Sequence, residues 1–331
     1  MKKKILLVTF IFFYSSLFAE TVFSLRPLVS FCNASQREFV YYIYTDDSGS
    51  KHSEKLSELD WNQDGLCLLG LEFNGRSSKF SWGASFKFAI PVIDGIMYDS
   101  DWSNVYELPN VSSDVAGLKT HYTESDCKTV SSFYQSFSFG YDFHPDNGAV
   151  VTAFIGLDYT FNSMTANGLR GKYGVKKSDG CYTAWDSEFS TVKNTSSDIS
   201  VITLDRHWFV TWAGLGFEKC FGEKFTVGCS LALSPFTFLL SFDRHLLRSL
   251  DFMDCIFGAL RIGNFKASVG LNLTRNVSLN FGLTFQAAIT MEGLCFYSPS
   301  SAGEYQLIDD NASGGDYRLF ETWAGVKFFI R

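Results

Sequence analysis

Four segments of the chain alternate large apolar residues with small or polar ones at a two-residue period. Phe133, Phe137, Phe139, Tyr141 and Phe143 are interleaved with Tyr134, Ser136, Ser138, Gly140 and Asp142. Val151, Ala153, Ile155, Leu157, Tyr159 and Phe161 alternate with Thr152, Gly156, Asp158, Thr160 and Asn162. Val277, Leu279, Phe281, Leu283 and Phe285 do the same against Ser278, Asn280, Gly282, Thr284 and Gln286. The last segment sets Phe320, Ala324, Val326, Phe328 and Ile330 opposite Glu321, Lys327 and Arg331. This is the period of β-strands whose two faces meet different surroundings. Weaker alternation begins near Phe31, Leu66, Trp82, Val201, Phe225 and Met253. The total is about ten strands, an even number that lets an antiparallel barrel close with both termini on one side of a membrane.

The connections alternate in length, as such a barrel requires. Short turns fit at residues 74–76, 144–148, 222–224 and 275–276, each carrying Gly or Asn. Longer polar loops fit at about 45–56, 103–130, 168–197, 244–252 and 297–316. The long loops share one side, and the Asp-rich strand ends point to it.

One strand changes phase. Phe225, Val227, Leu231 and Leu233 are apolar at odd positions, whereas Phe236, Phe238 and Phe242 are apolar at even ones. The switch falls at Ser234 and Pro235, where a β-bulge resets the pleat and accommodates a residue that cannot donate a ladder hydrogen bond. With that bulge, Asp243 and His245 point into the lumen. Without it they face lipid, where a charge is costly.

Composition agrees with an exported barrel. Aromatic residues make up 17% of the chain, with 34 Phe and 15 Tyr, yet mean hydropathy is almost neutral. An aromatic outer wall and a polar lumen give that mixture. Lys2, Lys3 and Lys4 precede an apolar run from Ile5 to Leu17, and Phe18, Ala19 and Glu20 offer a cleavage point. Residues 1–19 therefore read as a signal peptide and 20–331 as one barrel. Net charge is −7, which disfavours nucleic acid as a partner. The eight cysteines form no CxxC pair or zinc spacing. No metal or cofactor is expected. Cys127 and Cys181 both fall in expected loops and leave a disulfide open.

The chemistry suggested by the sequence lies on the rim. Asp99 and Asp101 share one face of a strand end, and so do Asp243 and His245. A carboxylate can hold and polarise an imidazole so that it acts as general base toward water. Two facing carboxylates resist joint ionisation and share a proton. Such a group of four could hydrolyse without a covalent intermediate. On spacing alone a solvated rim is the stronger reading, since Asp-x-Asp and Asp-x-His recur by chance and acidic residues at loop bases are usually solvated or bind calcium. No Gly-x-Ser-x-Gly elbow, P-loop or His-Glu-x-x-His motif is present.

Several ordered segments resemble the omptins, ten-stranded outer-membrane aspartyl–histidyl endoproteases. Leu56, Ser57, Glu58, Leu59, Asp60 and Trp61 are similar to the family's Leu-Ser-x-Leu-Asp-Trp segment. Asp99 to Trp102 resembles Asp-x-Asp-Trp, and Asp243 to His245 resembles Asp-x-His. Ser163 to Ala166 and Trp323 to Phe329 match in order and spacing. The resemblance implies that Asp243 and His245 activate water, that Asp99 and Asp101 help hold it, and that peptides or proteins are the substrates, often cut beside basic residues. It also implies a pocket for that basic side chain lined by Glu38. Ser241 stands where many members carry a second acidic pocket residue. Tyr159, Phe161 and His207 occupy places where the family carries charged contacts to lipopolysaccharide, which implies an altered or lost dependence on that lipid. The expectation is a monomeric outer-membrane endopeptidase. A binding barrel or adhesin of the same fold is the alternative.

Overall fold

The computed structural model describes residues 21–91, 93–105, 111, 115–144, 148–299 and 303–330. The expected signal peptide at 1–19 and turn residues 145–147 lie outside the described residues. Among the described residues every helix or strand is a strand, and they join into one closed antiparallel sheet.

Fourteen hydrogen-bonded segments build the wall. They begin with β1 (Thr21–Thr45), β2 (Lys51–Ser77), β3 (Phe80–Pro91), β4 (Gly95–Asp101) and β5 (His121–Phe143). β6 (Ala149–Tyr173), β7 (Thr191–Phe221), β8 (Phe225–Leu233), β9 (Thr237–His245) and β10 (Leu250–Gly258) follow. The chain ends with β11 (Ile262–Asn272), β12 (Val277–Ala288), β13 (Met291–Pro299) and β14 (Gln306–Ile330). Near the termini the ring runs β1-β2-β3-β5-β6-β7-β8-β11-β12-β14 and closes through β14 on β1. At the other end β4 replaces β3 between β2 and β5, and β9, β10 and β13 replace β8, β11 and β12. Each level therefore has ten strands, as the alternation predicts. Four of the ten are broken into two segments.

The break between β8 and β9 is the predicted phase switch. In β8 the odd residues Phe225, Val227, Leu231 and Leu233 are exposed, while in β9 Thr237, Leu239, Ser241 and Asp243 are buried. Ser234 fills the break, fully buried, and its hydroxyl lies 2.7 Å from Thr237 Oγ1. Pro235 sits where no ladder bond is needed. The switch turns the end of β9 inward and so carries Asp243 into the barrel.

Exposed apolar side chains form a band around the ends that hold the termini. It includes Phe31, Phe88, Phe139, Ile155, Leu215, Leu231, Phe257, Phe281 and Ile330. Strands with this outward stripe and a polar lumen cross an outer membrane. The lumen beside the band carries the ion pairs Arg26–Glu72, Lys87–Glu321 and Arg76–Asp142, and Arg26 and Arg76 help line a cavity of about 620 Å³. Above it, Leu68, Trp208, Trp212, Leu239, Ile256 and Tyr317 pack into a buried plug. A second buried cluster, with Leu59, Trp61, Met97, Met164 and Leu204, lies higher. Ten strands make a narrow barrel, and these clusters fill its upper lumen with side chains.

The strands run further than the sequence suggests. Segments expected as loops at 103–130 and 168–197 are partly strand, and 297–316 is mostly strand, because β5 starts at His121, β6 reaches Tyr173, β7 starts at Thr191 and β14 at Gln306. Beyond the lipid both faces are wet, so the polar run from Thr191 to Ser200 has no alternation to read. No disulfide joins Cys127 to Cys181; both are buried.

Candidate active site

The open end of the barrel holds a cavity of about 440 Å³. β4 and β9 lie nearly opposite each other in the upper ring. Asp99 and Asp101 come from β4, and Asp243 and His245 from β9. All four line the cavity with Glu38 of β1. These residues sit beyond the apolar band: Glu38 follows Phe31 by seven positions and Asp243 follows Phe236 by seven.

Register explains how each carboxylate is held. Asp243 faces Leu204 on one neighbouring strand and Phe252 on the other. The His245 ring nitrogen Nε2 lies 2.8 Å from Asp243 Oδ2. An ionised carboxylate only accepts, so Nε2 carries the hydrogen and Nδ1 is the basic nitrogen. Phe252 meets the imidazole edge-on at 5.4 Å and helps fix its plane. Burial pulls the imidazole down, but Asp243 outweighs it and raises His245 above its ordinary value. Asp243 is itself 3% exposed, and its Oδ1 has no hydrogen-bond partner.

Across the cavity, Asp99 is buried above Met97, between Leu59 and Thr123 of the flanking strands. Burial and the neighbouring charge of Asp101 push its carboxyl up to about 7, against the opposing pull of His245 and Arg248. This wall therefore holds a carboxyl raised into the neutral range, facing an imidazole that Asp243 raises above its ordinary value. Groups pushed into this range suit proton transfer.

Below Asp243 and His245 lies a row of which the sequence pointed only to Ser241. Ser241 of β9 pairs with Arg206 of β7 on one side and Asp254 of β10 on the other, and Asp254 pairs with Cys295 of β13. Asp254 is pushed up to about 7 by burial, against the pull of Arg206. Glu38 is held well above its usual range by burial, then by Asp243 and Asp254. Arg248, in the turn after β9, also lines the cavity. The signal for Arg206 and Asp254 is the pleat itself: each is a charge in an inward register otherwise filled by Leu204, Trp208 and Ile256.

The fold matches a solved structure over almost its whole length. The outer-membrane protease OmpT from Escherichia coli superposes with a TM-score of 0.77 at 16% identity, over 94% of this chain and 97% of that one. The model of the Omptin family matches residues 22–330. The chain belongs to the omptin family. Other outer-membrane barrels align far more loosely: the translocator domain of autotransporter NalP from Neisseria meningitidis gives 0.36 at 7% identity, over 95% and 91% of the two chains. No curated protein matches by sequence alone. This omptin thus shares the outer-membrane barrel fold, and the cavity lies at its surface end.

Five of the six residues singled out in the sequence meet in this omptin's cavity. The sixth, Ser241, does not line it; the residue is buried in the row beneath, where Arg206 Nε donates to its hydroxyl at 3.3 Å. On the outer wall, Tyr159, Phe161 and His207 also come together. Tyr159 Oη lies 2.8 Å from His207 Nδ1, and the Phe161 and His207 rings are 4.8 Å apart.

Proposed function

We propose that this omptin is a cell-surface endopeptidase in which His245, held by Asp243, activates water for attack on a peptide carbonyl. The observation that carries this reading is the 2.8 Å contact between Asp243 and His245 inside a cavity whose facing wall is Asp99 and Asp101. His245 Nδ1 takes a proton from water as the oxygen attacks. The imidazolium, stabilised by Asp243, then protonates the leaving amine. Asp99 and Asp101 share a proton and hydrogen-bond the water before attack and the tetrahedral intermediate after it. No side chain bonds to the substrate. The active unit is a monomer, and no metal or cofactor enters these steps.

The uncharged outer cluster of Tyr159, Phe161 and His207 supports a second element of the proposal. Lipid acyl chains and headgroups surround the barrel, but lipopolysaccharide phosphates are not needed to hold the site. The test is cleavage of a quenched peptide by intact cells displaying the protein, beside cells displaying His245→Ala at equal surface level. Cleavage confined to the wild type supports the peptidase. Equal signals on both would move the reading to a binding barrel.

A further inference from the structure

Arg206 stands in the inward row of β7 and is fully buried. Its guanidinium is tied to two other strands. Nε donates to Ser241 Oγ on β9 at 3.3 Å, and Nη1 donates to the Arg37 carbonyl on β1 at 2.9 Å. Nη2 lies 3.7 Å from Oε2 of Glu38, also on β1. That is an ion-pair distance but not a hydrogen bond, and both atoms lack a hydrogen-bond partner. The cation therefore fills the space beside the acidic residue of the pocket without being fully satisfied by it.

We propose that Arg206 is a specificity-determining residue: as a resident cation it engages the Glu38 carboxylate that a basic substrate side chain would seek. The pocket then rejects arginine and lysine and takes an uncharged side chain. This rests on the peptidase reading above and deepens it.

Three observations support the inference. Arg206 does not itself line the cavity, but a substrate guanidinium at Glu38 would share that carboxylate with a buried resident cation, and like charges repel strongly in such a setting. Glu38 offers little attraction in return, because its burial among Asp243 and Asp254 holds it toward the neutral form. An acidic side chain fares no better, since Asp99, Asp243 and Asp254 stand around the same space. The rest of the lining joins apolar residues such as Val40, Ile43, Leu59 and Phe252 to Asp101, Asp309 and Arg248. An uncharged side chain can lie along the apolar part without competing for Glu38.

The test uses refolded full-length protein and matched peptides that differ only in arginine or its uncharged isostere citrulline at the pocket-facing residue. Wild type should cleave the citrulline peptide with kcat/KM at least about tenfold higher, in the range by which pocket contacts discriminate. Arg206→Gln keeps a hydrogen-bonding side chain while freeing Glu38. It should move the arginine-to-citrulline ratio at least about tenfold toward arginine, a shift in specificity that mere loosening of the fold would not give. Wild type that cleaves the arginine peptide as fast or faster overturns the inference and leaves the peptidase standing. A folded Arg206→Gln with an unchanged ratio also overturns it. If that variant fails to fold, the wild-type pair alone decides. A folded wild type that cleaves neither peptide, nor any of a diverse library, overturns the peptidase reading and this inference with it.

Discussion

Replacing Asp243 by Asn separates the orientation of His245 from its electrostatics. The carboxylate lies 2.8 Å from Nε2 and is nearly buried, so its charge acts on the imidazole with little screening. Asn preserves size but offers a neutral oxygen or a competing N–H. General-base catalysis contributes about 10²–10⁴-fold, so loss of the held base should lower kcat by that factor, about 3–5 kcal/mol of barrier. The pH dependence gives a sharper sign. Asp243 raises His245 above its ordinary value against the lowering effect of burial. In Asp243→Asn the burial remains and the carboxylate is gone, so the imidazole titrates lower. Wild type should gain activity as pH rises through a midpoint above 6.5, where His245 becomes neutral. In the variant that limb should move to lower pH even though the plateau falls. The assay is kcat/KM against pH on a quenched peptide, with folding checked by heat-modifiable gel migration. A folded variant within threefold of wild type, or with its limb unmoved, would refute the assigned dyad.

Three further outcomes follow from the barrel. Leu239 is fully buried in the plug beneath the site, so Leu239→Ala should cost roughly 2–5 kcal/mol in urea unfolding from detergent. Asp99 has a folded-state pKa raised from 3.8 to about 7, so wild type loses stability as pH rises from about 4 to 7, where the folded state resists ionisation and the unfolded state does not. Asp99→Asn should remove that loss; its stability advantage should grow across this window and level off above it, and unfolding curves at pH 5 and 8 would show it. Deleting Pro235 takes one residue from the break between β8 and β9. Because a one-residue slip reverses every side chain, Asp243 would turn outward, and the product should lose heat-modifiable migration or assemble without cleavage.

The parts legible in the sequence are those where lipid and lumen impose opposite demands on alternate residues. Phe281 and Phe285 against Thr284 and Gln286 reveal a wall strand, and the odd-to-even switch at Pro235 reveals which way Asp243 points. Above the lipid that contrast fades. The ends of β5, β6, β7 and β14 carry polar residues on both faces and read as loops, although they continue the sheet. The dyad, the aspartate pair and Glu38 were visible from spacing and resemblance. Arg206 was not, because its meaning depends on register: only the pairing of β7 with β9 sets it against Ser241, and only closure of β14 on β1 completes the wall that carries Glu38 toward it.

The most direct measurement is digestion of a diverse peptide library by refolded protein, with Asp99→Ala and His245→Ala as folded controls and product ends mapped by mass spectrometry. The account predicts new peptide ends with wild type and at least about 10²-fold fewer with either variant. Full cleavage by a folded His245→Ala protein, or none by folded wild type, would contradict it.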